Sequence, residues 1–191
     1  MASGPGGVFA AEGPEPLPVT IRLEAPGDEP GVRRVHRAAF PGPEEAAIVD
    51  EIRRLSPVGW QSIVALDRDG GIVGHLLLSP CPVEDGAGRR VGEVLALGPI
   101  GVLPAVQFRG VGTALITAAF SLAMARGAPA VVLLGQPAYY PRFGFVSARS
   151  VGLEPPAEAW PDAAWMARRL PAWTDDLRGT VRYPVAFEPL A

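Results

Sequence analysis

At 191 residues and 48% hydrophobic content, the chain is long enough for one packed core and too apolar for general disorder. Its net charge of −3 excludes broad attraction to nucleic acid. All 17 basic residues are Arg, which also excludes a Walker-type phosphate loop, since that needs Gly-Lys-Ser/Thr.

The single cysteine, Cys81, has no partner for a disulfide or a thiolate metal site and reads as a small buried hydrophobe. No apolar run reaches the ~20 residues of a membrane span, and no basic-then-apolar leader opens the chain. A cytoplasmic protein with no membrane partner is expected.

Residues 1–18 are rich in Gly and Pro and are expected to be a disordered tail before one domain over 19–191. Val19 to Leu23 alternates apolar and polar, as a half-buried strand does. Asp28 is placed to cap a helix carrying Val32, Val35 and Phe40, which ends at Pro41-Gly42-Pro43. A second helix is expected over Glu44 to Leu55, with Ile48, Ile52 and Leu55 on one stripe. Glu44 and Glu45 in its first turn suit the helix dipole, and also suit a cationic substrate.

Strands follow over Ser62 to Asp67 and Ile72 to Ser79, joined by the turn Arg68-Asp69-Gly70-Gly71 and closed by Pro80. A polar loop, Glu84 to Arg90, leads to a third strand ending at Val102, giving an antiparallel meander. Leu97-Gly98-Pro99-Ile100 disturbs that strand, either as a bulge that splays it from a neighbour or as an edge. A splayed strand would offer its backbone to an extended ligand.

An almost wholly apolar helix is expected from Gly110 to Arg126, then a buried strand, Ala130 to Leu134, parallel to the third. Between strand and helix lies Gln107-Phe108-Arg109-Gly110-Val111-Gly112. Glycines at a helix N-terminus let backbone N–H groups and the helix dipole meet an anion. Gly135-Gln136-Pro137 opens a turn through Tyr139 and Tyr140, closed by Pro141 to Phe145. Trp165 to Leu170 and Gly179 to Phe187 are expected strands, and there is no internal repeat.

The glycine loop is late and follows a meander, unlike a dinucleotide-binding fingerprint, and the chain has no Gly-x-Ser-x-Gly elbow. His36 and His75 lie far apart without ligand spacing, so no metal site is expected.

Gln107 to Gly112 resembles the Q/R-x-x-G-x-G/A pyrophosphate loop of the GNAT superfamily of N-acetyltransferases, and Tyr140 to Phe145 resembles its Tyr-x-x-x-Gly-Phe signature. Val73-Gly74-His75, Leu134 to Phe145 and Gly179 to Pro184 are similar to a bacterial branch named for YhbS, over roughly Val19 to Glu188. The resemblance implies an α/β fold: a twisted mixed sheet with helices on both faces and a V-shaped opening for acetyl-CoA. The pantetheine arm would pair with Ile100, Gly101 and Val102. The pyrophosphate would rest on backbone N–H groups of Phe108, Arg109, Gly110, Val111, Gly112 and Thr113, with Arg109 adding charge. Tyr140 matches the tyrosine that protonates the departing thiolate. Some members carry a Glu on the third meander strand as base; here that position is Ala96. A water chain, His75, or an amine arriving neutral are the alternatives. The acceptor would be a small-molecule or peptide amine, with a homodimer possible. The alternative function is an acyl-CoA sensor without turnover.

Overall fold

The computed structural model describes residues 14–55, 59–184 and 186–187. Of the expected tail, residues 14–18 are described, and they are held against the domain. Leu17 N–H donates to Arg109 O at 2.9 Å, and the Leu17 side chain packs on the core.

The strand β1 (Thr20–Leu23) leads to α1 (Glu29–Ala39). Asp28 precedes α1 but does not cap it. Its carboxylate instead pairs with the Arg22 guanidinium (2.9 Å to Nη2) and accepts from Ala25 N–H at 2.8 Å. A charge-assisted pair outcompetes a cap to a neutral amide. Phe40, expected inside the helix, is extended just beyond it (φ −121°, ψ 150°). The ring of Pro41 disfavours helical backbone at the residue before it. The helix α2 (Glu44–Leu55) has the expected bounds. Val32, Val35, Ile48, Val49 and Ile52 bury one face of this pair against Val64 and Leu77 of the sheet.

The meander consists of β2 (Gln61–Leu66), β3 (Ile72–Glu84) and β4 (Arg90–Val102). Pro80 does not end β3, which runs on to Glu84. Its pairing with β2 stops at Leu78, so Pro80 and Pro82 sit where a missing N–H costs no ladder bond on that edge.

The helix α3 (Val111–Ala125) covers the opposite face, with Leu115, Ile116, Ala119 and Phe120 packed on Ile63, Leu76, Leu95 and Val131. The strand β5 (Ala130–Leu134) then pairs parallel with β4, making the expected crossover unit. Short strands complete the sheet: β6 (Val146–Ser147), β7 (Leu153–Glu154), β8 (Trp165–Arg169) and β9 (Gly179–Val181). The order is β1-β2-β3-β4-β5-β8-β6, with β9 bridging β3 and β7. The fold is therefore α/β, a mixed sheet with helices on both faces.

The last expected strand, Gly179 to Phe187, is regular only to Val181; Val185 lies outside the described residues. Beyond Val181 the antiparallel register runs back along β3 to Pro82, whose carbonyl accepts from Arg182 N–H at 2.8 Å but which has no N–H to return, and Pro184 lacks one as well. Tyr183 and Phe187 instead pack edge-to-face at 5.2 Å. No helix among the described residues is long and apolar enough to cross a membrane.

Leu115 is fully buried where α3 meets the sheet. Leu115→Ala is expected to cost about 3 kcal/mol by urea denaturation, through lost burial and a cavity. A loss under about 1 kcal/mol would contradict this packing.

Candidate active site

The cleft begins where the sheet comes apart. The strands β4 and β5 pair at Leu95 with Val131 and at Ala96 with Val132, and at no later residue. Just past Ala96 the register of β4 against β3 shifts, from Leu97 opposite Leu78 to Ile100 opposite Leu76. Gly98 and Pro99 occupy this bulge, with Gly98 at φ 146°, where only glycine is comfortable. The two strands part around a cleft of 670 Å³, the size of a cofactor pocket. Leu97 to Val102 line one wall, and Leu134 to Gln136 with Tyr139 and Tyr140 line the other.

At the mouth of the cleft stands the N-terminus of α3. After a 3₁₀ turn, Pro104–Val106, the Gln107 side chain donates back to Val102 O at 3.1 Å and so pins the loop to its strand. Phe108 has φ 61°, a strained value for a non-glycine residue, and is 90% exposed. Gly110 (φ 85°) turns the chain into the helix. The first N–H groups of α3 have no carbonyl within the helix to meet. A side chain at Gly112 would stand 3.2 Å from the Tyr139 hydroxyl, so the absence of one keeps the approach open.

Gln107, Phe108, Gly110, Gly112 and Thr113 line the cleft with Ile100, Gly101 and Val102. Two expected residues differ. The Val111 side chain is buried in the core, leaving only its backbone for a ligand. The Arg109 side chain turns to the N-terminal segment, where Nε donates to Glu15 O at 3.0 Å.

Tyr140 and Tyr139 meet edge to face at 5.0 Å between ring centroids and differ in what else they touch. The Tyr140 ring packs on Phe145 and closes over Gly135, where a Cβ would stand 2.4 Å from the ring. Burial and the neighbouring Tyr139 push its phenol up to about 12. The Tyr139 hydroxyl lies instead beside the helix N-terminus, and the Arg142 guanidinium stacks on its ring at 3.8 Å. Beyond Tyr140 the cleft is aromatic, with Trp160, Tyr183, Phe187 and Phe40. Trp160 is buried, and its indole N–H has no partner. Glu45 is the one carboxylate lining the cleft among the described residues.

His36 and His75, distant in sequence, meet behind β4. His36 Nε2 and His75 Nδ1 are 2.7 Å apart, and His75 Nε2 is 2.6 Å from Ser62 Oγ. Ser62 bonds Glu24, and Glu24 pairs with Arg53. Burial pushes the Glu24 carboxyl up, but His75, Arg53 and Ser62 outweigh it and hold it at about 2. Among the described residues, no group of three or more His, Cys, Asp or Glu is arranged to hold a metal. Ala96 is buried in the core beside Cys81 and Trp165.

The model of the acetyltransferase (GNAT) family matches residues 30–145. The chain belongs to that family. The N-acetyltransferase YhbS of Escherichia coli strain K12 is 32% identical over 125 residues, covering 65% of this chain and 72% of the relative. The structure of E. coli YhbS in complex with CoA superposes with a TM-score of 0.76 at 27% identity, over 98% of this chain and 96% of the other. A GNAT acetyltransferase from Brucella melitensis, in complex with acetyl-CoA, gives 0.69 at 31% identity, over 89% and 98%.

Several residues in and behind this cleft carry no local signal. Tyr139 adjoins Tyr140, and nothing in the pair itself says which of them meets the helix N-terminus and which meets Phe145. Ser62, His75, His36 and Glu24 come from four segments brought together by strand register. The linkage at Glu24 has a definite sign. Its folded value lies below the ordinary ~4.3, so its stabilisation is present above that value and is lost as pH falls toward about 2. Glu24→Gln is expected to lower the melting temperature at neutral pH, with the deficit shrinking at about pH 3. A deficit independent of pH would contradict an ionised Glu24.

Proposed function

We propose that this chain transfers the acetyl group of acetyl-CoA to a primary amine, the amine attacking the thioester directly. The observation that carries this is the coincidence of three features in one cleft: a strand edge left open by the parting of β4 and β5, a glycine-lined helix N-terminus at its mouth, and a protonated phenol on its inner wall. The free edge of Ile100 to Val102 suits the amides of a pantetheine arm, which would add like a strand. The N–H groups from Phe108 to Thr113 suit a pyrophosphate, favoured by the dipole of α3. The backbone of Arg109 contributes there, while its side chain serves to hold the loop against residues 15–17.

Tyr140 supplies the proton for the departing sulfur. Its raised value keeps the phenol protonated until a thiolate forms beside it. Glu45 at the cleft wall would draw an acceptor that arrives as an ammonium, and the aromatic end would hold an apolar body attached to it. A second reading, an acyl-CoA sensor without turnover, is favoured by one feature, the burial of Ala96 where some relatives carry a base. Amine-dependent thiol release over a broad amine panel separates the two: release supports the transferase, and binding without release supports the sensor.

Gly112→Leu is expected to abolish the rise in melting temperature that acetyl-CoA produces, since the side chain fills the approach to the helix N-terminus. An unchanged rise would locate the ligand elsewhere. Tyr140→Phe is expected to lower kcat about 100-fold with KM for acetyl-CoA nearly unchanged, as for loss of a group used only in the transition state. Tyr139→Phe is expected to act mainly on KM, and the opposite split would exchange the two assignments.

A further inference from the structure

The buried chain Glu24–Ser62–His75–His36 has a direction, fixed by counting protons. Ionised Glu24 has none to give, so the Ser62 hydroxyl donates to it. Ser62 has a single proton, so its oxygen accepts at its other contact, and His75 Nε2–H donates across 2.6 Å. His75 Nε2 stands 3.8 Å from Glu24, too far to bypass Ser62. A neutral imidazole has one N–H, so His75 Nδ1 accepts and His36 Nε2–H donates across 2.7 Å. Burial keeps both rings neutral; with His75 beside it, His36 is pushed down to about 3. His36 Nδ1 is left as a bare lone pair.

That lone pair has no hydrogen-bond partner although His36 is 1% exposed. Buried polar atoms without partners are few in native proteins, and each needs a reason. The Nδ1 edge lies on Gly101, where a Cβ would stand 3.2 Å from Nδ1. Gly101 lines the cleft, and so do Ala39 and Phe40, one turn of chain beyond His36. The Phe40 ring stacks on the imidazole at 5.8 Å between centroids. The charged and titratable groups acting on His36 are His75 from β3, Arg53 from α2 and Glu24 from the β1–α1 connection. The facing residue of β4 is Gly101, which has no side chain.

We propose that His36 Nδ1 accepts the proton the acceptor amine must shed, through one water at the Gly101 edge of the cleft, and that His75, Ser62 and Glu24 position it. The proposal rests on the transferase reading above. An ammonium acceptor gives one proton to the water, and the water gives one to Nδ1, freeing the nitrogen lone pair. That pair forms the N–C bond at the thioester carbonyl, and the C–S bond breaks with its electrons on sulfur. Sulfur takes the Tyr140 proton. The second N–H proton lost on amide formation restores the phenol through solvent. The imidazolium returns its proton to bulk water, so each turnover releases one. Glu24 at the far end of the row favours that charge and Arg53 beside it opposes it, so the carboxylate serves mainly to orient the row, as a buried carboxylate orients a catalytic imidazole without taking its proton.

Two measurements on the intact protein test this. Nitrogen NMR of histidine-labelled protein is expected to show both rings as neutral Nε2–H tautomers near neutral pH; an Nδ1–H at His36 would overturn the relay. In kinetics with a turned-over amine, wild-type kcat is expected to be flat from about pH 6 to 8, since no member of the relay titrates there. His36→Phe keeps the stack on Phe40 and is expected to lower kcat about 100-fold, with a rate that climbs roughly tenfold per pH unit while the acetyl-CoA melting shift is retained. Ser62→Ala, a smaller change, is expected to act in the same direction should the first variant not fold. A kcat within about twofold of wild type, or a fall with a flat pH profile, would reduce the relay to packing and overturn the proposal. Wild-type protein that binds acetyl-CoA but releases no thiol with any amine would overturn the transferase reading, and with it the base role.

Discussion

The structure depends on a hydrogen-bond ladder that stops early. Two residues of β4 pair with β5, and the next would run into the bulge at Gly98 and Pro99. A sheet normally spends every interior N–H and C=O on a neighbour, because an unpaired buried group costs about as much as a lost hydrogen bond. Here the interior edge is left open, and the groups that β5 would have satisfied are available to another extended chain. The same parting leaves α3 with its N-terminus at the mouth of the gap, because α3 is the crossover that joins the two separating strands. One interruption in a ladder thus sets the wall of the gap and places a helix N-terminus at its mouth.

The cleft persists because its surroundings are rigid. On one face Leu115, Ile116 and Ala119 lock α3 to the sheet; on the other, α1 and α2 bury Val32, Val35 and Ile52. Between these layers the chain also buries a polar row, from Glu24 to His36. Such rows are destabilising unless each member is satisfied. Every member of this one is paired except Nδ1 of His36, at the end nearest the cleft. A row built only for stability gains nothing from an open end, so the location of the orphaned atom carries information that its burial alone does not.

How much of this was legible in the chain follows from how local each feature is. The glycine loop and the Tyr140 segment are contiguous, and the chemistry of a helix N-terminus depends only on neighbours, so both could be read directly. The bulge was legible because Gly98 and Pro99 each lack something an inner strand needs. Two of the departures were decided by neighbours. Phe40 left its helix because of the residue after it, and β3 ran through Pro80 because its neighbour had already ended there. The latter is a property of another strand and is invisible in the segment itself. The histidine pair was beyond reach for the same reason: the register that sets Val64 opposite His75 and His75 opposite Gly101 decides which side chains meet. Family resemblance supplied the ligand class and the candidate acid, but not the polar row.

The most direct test of the central claim is a crystal structure of this chain with coenzyme A. The account predicts the pantetheine amides paired with the main chain of Ile100 to Val102 and the pyrophosphate oxygens on the N–H groups between Phe108 and Thr113. It also predicts the sulfur within hydrogen-bond reach of the Tyr140 hydroxyl. A ligand bound outside the gap between β4 and β5, or one whose sulfur faces away from Tyr140, would contradict it.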